Sequence, residues 1–300
     1  MAESFGQGRG ERRPSRDEVR EERRREAARH SGLMKAAFGA ETAQTVESAV
    51  IYEEGEGREL PLPEPAAEAT ETCVVTSFAP EALYREGRGK CAVVDPANFT
   101  RAGGAYEDGA FGPEQILCSE SNLYEVLQGV AGEYHRKNKD YRRGSLFTDR
   151  ALWLPEVVFS RGGDVRRAGV VAVAEPVRAF ALENHRPEAE VERALRDRVE
   201  TMLRIAAVNE VETLVVGAFG CGRNGYEPQA VIGLFQEWFA AHPGALPRVV
   251  FAVPRMYFDA FDAAFGAPKA EEVVEVAEDD ADEEREDWRD IELPEGITLR

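Results

Sequence analysis

The chain has 300 residues, 43% of them hydrophobic and 31% charged, a composition typical of a globular protein with a sizeable buried core. It contains no apolar run of about 18 residues and no N-terminal apolar stretch of the secretory kind, so we expect a cytoplasmic protein without a membrane partner. The formal net charge is −19, and no broad basic face is present for general nucleic-acid binding.

The two ends of the chain differ in composition from its middle. Residues 1–25 form a charged head, rich in Arg and Glu, that we expect to be flexible. Residues 26–71 form an N-terminal extension, with an amphipathic helix from about Ala27 to Thr45 and then a Pro-rich connection. Residues 269–300 carry 14 acidic and 4 basic side chains. This acidic tail is predicted to be mostly disordered, and it is open whether it only solubilises the chain or also recruits a protein partner.

Residues 72–268 are predicted to form the core, in which strands alternate with helices. Several strands are continuous β-branched runs, as expected when both faces of a sheet are covered. The predicted strands are Cys73–Thr76, Cys91–Asp95, Ala151–Ser160, Gly169–Ala174, Thr213–Ala218 and Arg248–Val253. The predicted helices are Pro113–Gly132, Pro187–Val208, Pro228–Ala241 and Met256–Phe265. This alternation favours an α/β domain of stacked layers.

The cysteines carry neither a metal-binding pattern nor a disulfide pattern. The four are widely spaced, without a CxxC pair or a histidine at ligand spacing, at Cys73, Cys91, Cys118 and Cys221. We therefore expect reduced thiols. No metal and no cofactor is predicted, since the glycine-rich loops hold no carboxylate cluster of the kind that Mg²⁺ requires.

Two glycine-rich loops stand out in the core. The first follows the strand that ends at Asp95, contains Asn98 and Gly103-Gly104, and leads into a helix at Pro113. Glycines allow a close backbone approach to a ligand, and a helix N-terminus suits an anion. The alternative is a surface loop before a capped helix, in which Glu114 only complements the helix dipole.

The second loop lies between a strand and a helix and reads Gly220-Cys221-Gly222-Arg223-Asn224-Gly225, a GxGxxG pattern. A dinucleotide fold would place this pattern early in the domain, with an acid ending the next strand. Here it lies late, and the following strand RVVFAVP has no such acid. The pattern therefore favours a phosphate-binding loop of backbone donors, with Cys221 as a small packed residue rather than a nucleophile.

Together the loops resemble the microbial-type poly(ADP-ribose) glycohydrolases, a macrodomain-like family. That family carries an Asn after a buried strand, a GGG motif, a Gln-Glu-Glu that opens a helix, and a late Gly-x-x-Gly-Cys-Gly loop. Here Asn98 matches the Asn, Gly103-Gly104-Ala105 the GGG, Pro113-Glu114-Gln115 the Gln-Glu-Glu, and Gly217-Ala218-Phe219-Gly220-Cys221-Gly222 the late loop. The similarity spans roughly residues 20–266.

The resemblance implies a three-layer macrodomain-like α/β sandwich with a mixed central sheet and an N-terminal helical extension. It also implies ADP-ribose or an ADP-ribosylated protein as the partner. Loop 98–105 would hold the distal ribose and a phosphate, and Glu114 would hydrogen-bond ribose hydroxyls. Loop 217–225 would wrap the diphosphate through backbone N–H groups; its members are Gly217, Ala218, Phe219, Gly220, Cys221, Gly222, Arg223, Asn224 and Gly225.

The chain departs from the family pattern at the catalytic position. The second Glu of the motif is the general acid that protonates the departing ribosyl oxygen, and Gln115 stands in its place. An amide donates a hydrogen bond but has no proton to give at neutral pH. Ala105, which replaces the third glycine, also narrows the space for the ligand.

Three routes to activity stay open: Glu114 acts in place of its neighbour, Glu107 or Asp108 swings in, or the substrate supplies its own base. The function is accordingly open between three interpretations. The chain is a glycohydrolase of ADP-ribosyl linkages, a non-catalytic ADP-ribose reader that uses the same pocket, or a binding module for another nucleotide derivative whose acidic tail recruits a protein.

Overall fold

The structure is a computed structural model and describes residues 14–267. The strands are β1 Val50–Tyr52, β2 Glu71–Val75, β3 Cys91–Asp95, β4 Ala151–Arg161, β5 Asp164–Val173, β6 Thr213–Val216 and β7 Arg248–Ala252. The α-helices are α1 Arg16–Glu47, α2 Glu56–Glu59, α3 Ala79–Glu86, α4 Pro113–Ser119, α5 Leu123–Val130, α6 Arg178–Glu183, α7 Glu188–Val208, α8 Pro228–Ala241 and α9 Arg255–Phe265. The predicted acidic tail lies outside the described residues.

The seven strands form one mixed sheet in the order β1-β4-β5-β3-β6-β7-β2. The pairs β1–β4 and β4–β5 are antiparallel, and the pairs from β5 to β2 are parallel. The carboxyl ends of β5, β3, β6, β7 and β2 therefore lie at one edge of the sheet.

Helices cover both faces of the sheet, which confirms the predicted three-layer architecture. Successive side chains of a strand point to opposite faces. In β3, Ala92 and Val94 pack in a hydrophobic cluster with α7, α8 and α9, whereas Cys91 and Val93 pack in a second cluster with α3, α4 and α5. This double coverage explains why β3, β6 and β7 read as continuous hydrophobic runs.

The N-terminal helix α1 is longer than the sequence indicated. It begins at a capping box, in which the Ser15 hydroxyl accepts a hydrogen bond from the Glu18 N–H (3.2 Å) and Glu18 Oε2 accepts one from the Ser15 N–H (2.6 Å). The helix thus crosses the predicted boundary at residue 25 and includes the head from Arg16 onward. It packs on α5, β4 and the turn at residues 106–108.

Other predicted elements differ from the structure at places where tertiary contacts determine the local conformation. The single helix predicted over 113–132 is two helices, because the chain at Asn122 turns to bond strand β4. The Asn122 N–H donates to the Val158 carbonyl (3.0 Å), and the Val158 N–H donates to Asn122 Oδ1 (2.9 Å). Strand β5 begins at Asp164 rather than at Gly169, as one arm of a hairpin with β4. Helix α3 is not among the predicted elements.

No helix within residues 14–267 is both long enough and apolar enough to cross a membrane.

Candidate functional site

The fold brings the two glycine-rich loops together. The first follows β3 and the second follows β6, and these strands are parallel neighbours. The first loop leads into α4 on one face of the sheet, and the second leads into α8 on the other face. The two loops therefore flank the carboxyl edge of the sheet, the usual ligand position in open α/β sheets, and we call the space between them the crevice.

Asn98 organises the first loop. Its side-chain Oδ1 accepts hydrogen bonds from the backbone N–H groups of Thr100 (3.1 Å) and Arg101 (3.0 Å), as in an Asx turn. Asn98 is exposed, and its amide NH₂ faces no acceptor in the described part of the chain. The residue can therefore offer donors to a ligand while its oxygen keeps the loop in shape.

Gly103 and Gly104 both adopt positive φ angles, of 68° and 59°, which non-glycine residues rarely adopt. A Cβ on Gly104 would lie 2.6 Å from Gln115 Nε2 and 2.9 Å from Glu114 Oε2. The backbone at Gly104 thus packs directly on Glu114 and Gln115, the last two residues of the altered motif. Ala105 has a φ of −115°, so the methyl group in place of the third glycine causes no backbone strain.

Glu114, in the first turn of α4, lies beneath the first loop and is 4% exposed. Its Oε2 accepts hydrogen bonds from the Asn98 N–H (3.1 Å) and from Gln115 Nε2 (3.3 Å), whereas its buried Oε1 has no partner in the described residues. Burial, together with the nearby charge of Asp95, raises the pKa of Glu114 well above its usual value. Both effects favour the protonated form of Glu114.

Gln115 occupies the position of the expected general acid. Its Nε2 donates hydrogen bonds to the Gly103 carbonyl (3.2 Å) and to Glu114 Oε2 (3.3 Å). The amide is thus part of the loop structure and is only partly buried. It can hold the loop and donate a hydrogen bond, but it cannot supply a proton to a leaving group.

Glu107 and Asp108 are poor substitutes for that acid. Arg101 Nη2 donates to Glu107 Oε1 (2.7 Å) and to Asp108 Oδ2 (2.8 Å). A hydrogen bond from Tyr124, followed by that from Arg101, lowers the pKa of Glu107, and the Arg101 bond lowers the pKa of Asp108. Both groups are therefore ionised at neutral pH and tied to Arg101, which argues against their swinging in as acids.

The second loop is a tight turn in which the N–H groups of Phe219, Cys221 and Gly225 donate hydrogen bonds to carbonyls of the same loop. Gly220, Gly222 and Gly225 all have positive φ angles. Its Phe219 and Cys221 side chains point into the core, at 2% and 9% exposure. Burial raises the pKa of Cys221 to about 12, so the thiol is protonated and is not a nucleophile. Arg223 is exposed and has no carboxylate partner among residues 14–267.

Glu175 is a site residue that the sequence prediction missed. It follows β5, the neighbour of β3, and its carboxylate accepts hydrogen bonds from the Gly220 N–H (2.6 Å) and from the Asn224 side chain. Burial raises its pKa to about 7, while these two hydrogen bonds act in the opposite direction. Its position just after a buried strand could have indicated it, because Asn98 also follows a buried strand.

Asp95, the last residue of β3, lies under the crevice with 0% exposure, and both its carboxylate oxygens lack a hydrogen-bond partner in the described residues. Burial and the negative charge of Glu175 raise its pKa. Three carboxyl groups thus lie below the loops, those of Asp95, Glu114 and Glu175. The Asp95 and Glu114 side chains are almost fully buried. Within residues 14–267, no group of three His, Cys, Asp or Glu side chains is arranged to hold a metal ion.

Comparison with known proteins shows similarity to one family over part of the chain. Residues 22–162 match the family described as microbial-type PARG, catalytic domain. This range contains the first loop, Glu114 and Gln115, and it ends before the second loop. No curated protein sequence matches the chain.

Several solved structures share the fold. A poly(ADP-ribose) glycohydrolase from Thermomonospora curvata has a TM-score of 0.70 at 23% identity, over 78% of this chain and 93% of that one. The structure of that glycohydrolase bound to the inhibitor ADP-HPD has a TM-score of 0.70 at 25% identity, over 82% and 98%. The enzyme from Deinococcus radiodurans in complex with ADP-ribose has a TM-score of 0.63 at 27% identity, over 75% and 95%.

Proposed function

We propose that this chain binds ADP-ribose or ADP-ribosylated protein in the crevice between its two glycine-rich loops. The similarity of its fold and sequence to the microbial-type poly(ADP-ribose) glycohydrolases supports this proposal. The observation that carries the proposal is that both loops follow the carboxyl ends of neighbouring parallel strands. Positive-φ glycines and Asn98 lie there, at the carboxyl edge of β3 and β6.

Each loop contacts a different part of the ligand in this proposal. Asn98 and the backbone of Gly103, Gly104 and Ala105 face the distal ribose, with Glu114 beneath them to hydrogen-bond its hydroxyls through the unpartnered Oε1. The loop from Gly217 to Gly225 wraps the diphosphate through its N–H groups, and the exposed Arg223 adds a positive charge.

Catalysis at this site is weak or absent, because Gln115 has no proton to give to the departing oxygen. General acid–base help contributes about 10²–10⁴ in rate, so the chain acts mainly as an ADP-ribose reader. A second candidate function, slow hydrolysis, is favoured by one observation. Glu114 has a raised pKa and an unpartnered Oε1, so it is the carboxyl group best suited to act as the acid.

The proposal is tested by calorimetric titration of the purified chain with ADP-ribose, followed by incubation with poly(ADP-ribose) and measurement of released ADP-ribose. Binding with little or no release supports a reader, and binding with sustained release supports the hydrolase alternative. If ADP-ribose does not bind, the assignment of the crevice is wrong.

Asn98→Ala tests the site directly. This change removes the Asx turn and the amide donors, and we expect weaker ADP-ribose binding. Asn209→Ala is a matched control, because Asn209 ends α7 and its amide donates only to the Ile205 carbonyl (2.8 Å).

A further inference from the structure

Two phenylalanines lie exposed at the rim of the crevice. Phe78 is 54% exposed and Phe111 is 53% exposed. Their rings meet edge to face, with centroids 6.3 Å apart and planes at 89°. We call Phe78 and Phe111 the rim pair. Single exposed apolar side chains are common, but two aromatic rings in mutual contact beside a ligand crevice form a surface that can receive another flat ring.

Both members of the rim pair lie in segments that follow strands at the carboxyl edge of the sheet, where the candidate site also lies. Phe78 follows β2 and precedes α3. Phe111 lies between the first glycine-rich loop and α4. A Cβ on Gly112 would lie 2.9 Å from Gln115 Oε1, and adjacent Cα atoms are about 3.8 Å apart, so the Cα of Phe111 lies within roughly 8 Å of the Gln115 side chain.

A cation completes this surface. The guanidinium of Arg23, on α1, lies over the Phe111 ring, 4.4 Å from its centroid, which is a cation–π distance. Arg23 has no carboxylate within ion-pair distance among residues 14–267. The surface therefore combines two aromatic rings with an unneutralised positive charge, in a chain whose net charge is −19.

The chemistry of the polymer indicates what this surface would receive. In poly(ADP-ribose), the distal ribose of one unit is joined to a ribose hydroxyl of the next unit's adenosine, and adenine is attached to the neighbouring carbon of that same ribose. When a terminal unit occupies the crevice with its distal ribose beside Gln115, the adenine of the adjoining unit is a few bonds away. A ring at that place can stack on the rim pair.

We propose that Phe78, Phe111 and Arg23 form a binding subsite for the adenine and phosphate of the ADP-ribose unit that adjoins the one in the crevice. This inference rests on the proposed function and adds to it a preference for chains over single ADP-ribose units. Arg23 supplies the charge for the phosphate, and the rings supply a stacking surface. Stacking of a base on an aromatic side chain changes affinity by about 5- to 150-fold.

The test compares two ligands on matched variants. The dissociation constants of ADP-ribose and of a purified short poly(ADP-ribose) oligomer are measured by calorimetry for the wild type, Phe111→Ala, Phe111→Leu and Arg23→Ala. We expect the wild type to bind the oligomer more tightly than ADP-ribose. Phe111→Ala and Phe111→Leu should lose about 5- to 150-fold in oligomer affinity and keep their ADP-ribose affinity. Arg23→Ala should weaken oligomer binding and lower its salt dependence.

The control is Val165→Ala, which removes a 56% exposed apolar side chain at the opposite end of the sheet, near the start of β5. It should change neither affinity. All of these side chains are at least partly exposed, and equal thermal midpoints for the variants would exclude a folding defect.

The results separate this inference from the proposed function. If the wild type does not bind ADP-ribose, the crevice assignment fails and the subsite fails with it. If ADP-ribose binds but the oligomer gains no affinity, or gains affinity that the Phe111 variants retain, the subsite alone is refuted. Equal competition by oligoadenylate RNA would also refute it, because the surface would then be a general single-strand binder.

Discussion

Replacing Gln115 with Glu is the sharpest test of how this site works. The two side chains have nearly the same size, so the substitution restores a carboxyl group without opening or filling space. In the folded protein, the neighbouring Glu114 and Asp95 carboxyl groups are both buried. A third acid beside them is expected to have a raised pKa. The new carboxyl group would then carry a proton at neutral pH and could donate it to the Gly103 carbonyl, as the Gln115 amide does at 3.2 Å.

The expected gain follows from the chemistry of the departing oxygen. A positioned general acid contributes about 10²–10⁴ in rate, which corresponds to roughly 3–5 kcal/mol of barrier height. We therefore expect Gln115→Glu to raise the rate constant for ADP-ribose release from poly(ADP-ribose) by this factor. The dissociation constant for ADP-ribose should stay within about threefold, because backbone N–H groups make most of the contacts in the proposed complex.

The assay measures release of ADP-ribose over time under single-turnover conditions, for the wild type, Gln115→Glu and Gln115→Leu. The Leu variant removes the amide but supplies no acid, so it should release no more than the wild type. If Gln115→Glu binds ADP-ribose normally and yet releases it no faster, residue 115 is not the acid position, and the correspondence with the family motif is refuted. Loss of any wild-type release in Glu114→Gln would then identify Glu114 as the acid.

Three further predictions concern the loop, the pH dependence and the core. Gly104→Ala should abolish ADP-ribose binding by calorimetry, whereas Gly162→Ala, which bears the same φ of 59° but has nothing within 4 Å of its Cβ, should leave binding intact; equal losses would show that backbone strain alone matters. The pKa of Glu175 is about 7 in the folded chain and its ordinary value is 4.5. Between pH 4.5 and pH 7 the folded state therefore binds more protons at this residue than the unfolded state. The free energy of unfolding should therefore fall as pH rises from about 5 to 8, and Glu175→Gln should flatten that fall in urea titrations; an unchanged slope would contradict the raised pKa. Phe251→Ala should lower the free energy of unfolding by about 3–5 kcal/mol, because its buried ring packs on three other phenylalanine rings; a loss under about 1 kcal/mol would contradict close packing there.

Local sequence patterns predicted those parts of the fold that local residues decide. Strands β3, β6 and β7 are continuous β-branched runs, and the 4-4-3-4 apolar spacing of α7 marks a helix with one buried face. The two glycine-rich loops could be predicted to meet only through the family resemblance. The sequence spacing of β3 and β6 does not reveal that they are parallel neighbours.

Elements that depend on distant partners could not be predicted in this way. The break between α4 and α5 arises because Asn122 bonds β4 through its backbone N–H and its side-chain Oδ1, with Val158 as the partner of both. Helix α1 extends through the charged head, which has few apolar residues to indicate docking, yet Gly109 packs closely on its Arg20 carbonyl. Tertiary contacts outweigh local propensity in both places.

Glu175 was missed for a related reason. Its residue type is ordinary at the end of a strand, and its importance comes from the Gly220 N–H that it accepts, 45 residues away in sequence. That N–H belongs to the loop proposed to wrap the diphosphate. The Glu175 carboxyl group therefore already accepts a hydrogen bond from one of the N–H groups that the proposal assigns to the phosphates. A phosphate that binds this N–H would then have to displace the Glu175 carboxyl group.

Binding and catalysis are separable in this site because different atoms perform them. In the proposed complex, the diphosphate and ribose are held by backbone N–H groups and by Asn98, and these require glycine conformations rather than a proton donor. The acid requires a single ionisable side chain. Gln115 keeps the hydrogen bond to the Gly103 carbonyl that fixes the first loop, and Ala105 is accommodated at a φ of −115°. A change of one oxygen to nitrogen therefore removes the proton donor and leaves the pocket intact, which is the arrangement expected of a protein that holds ADP-ribose without efficiently cleaving it.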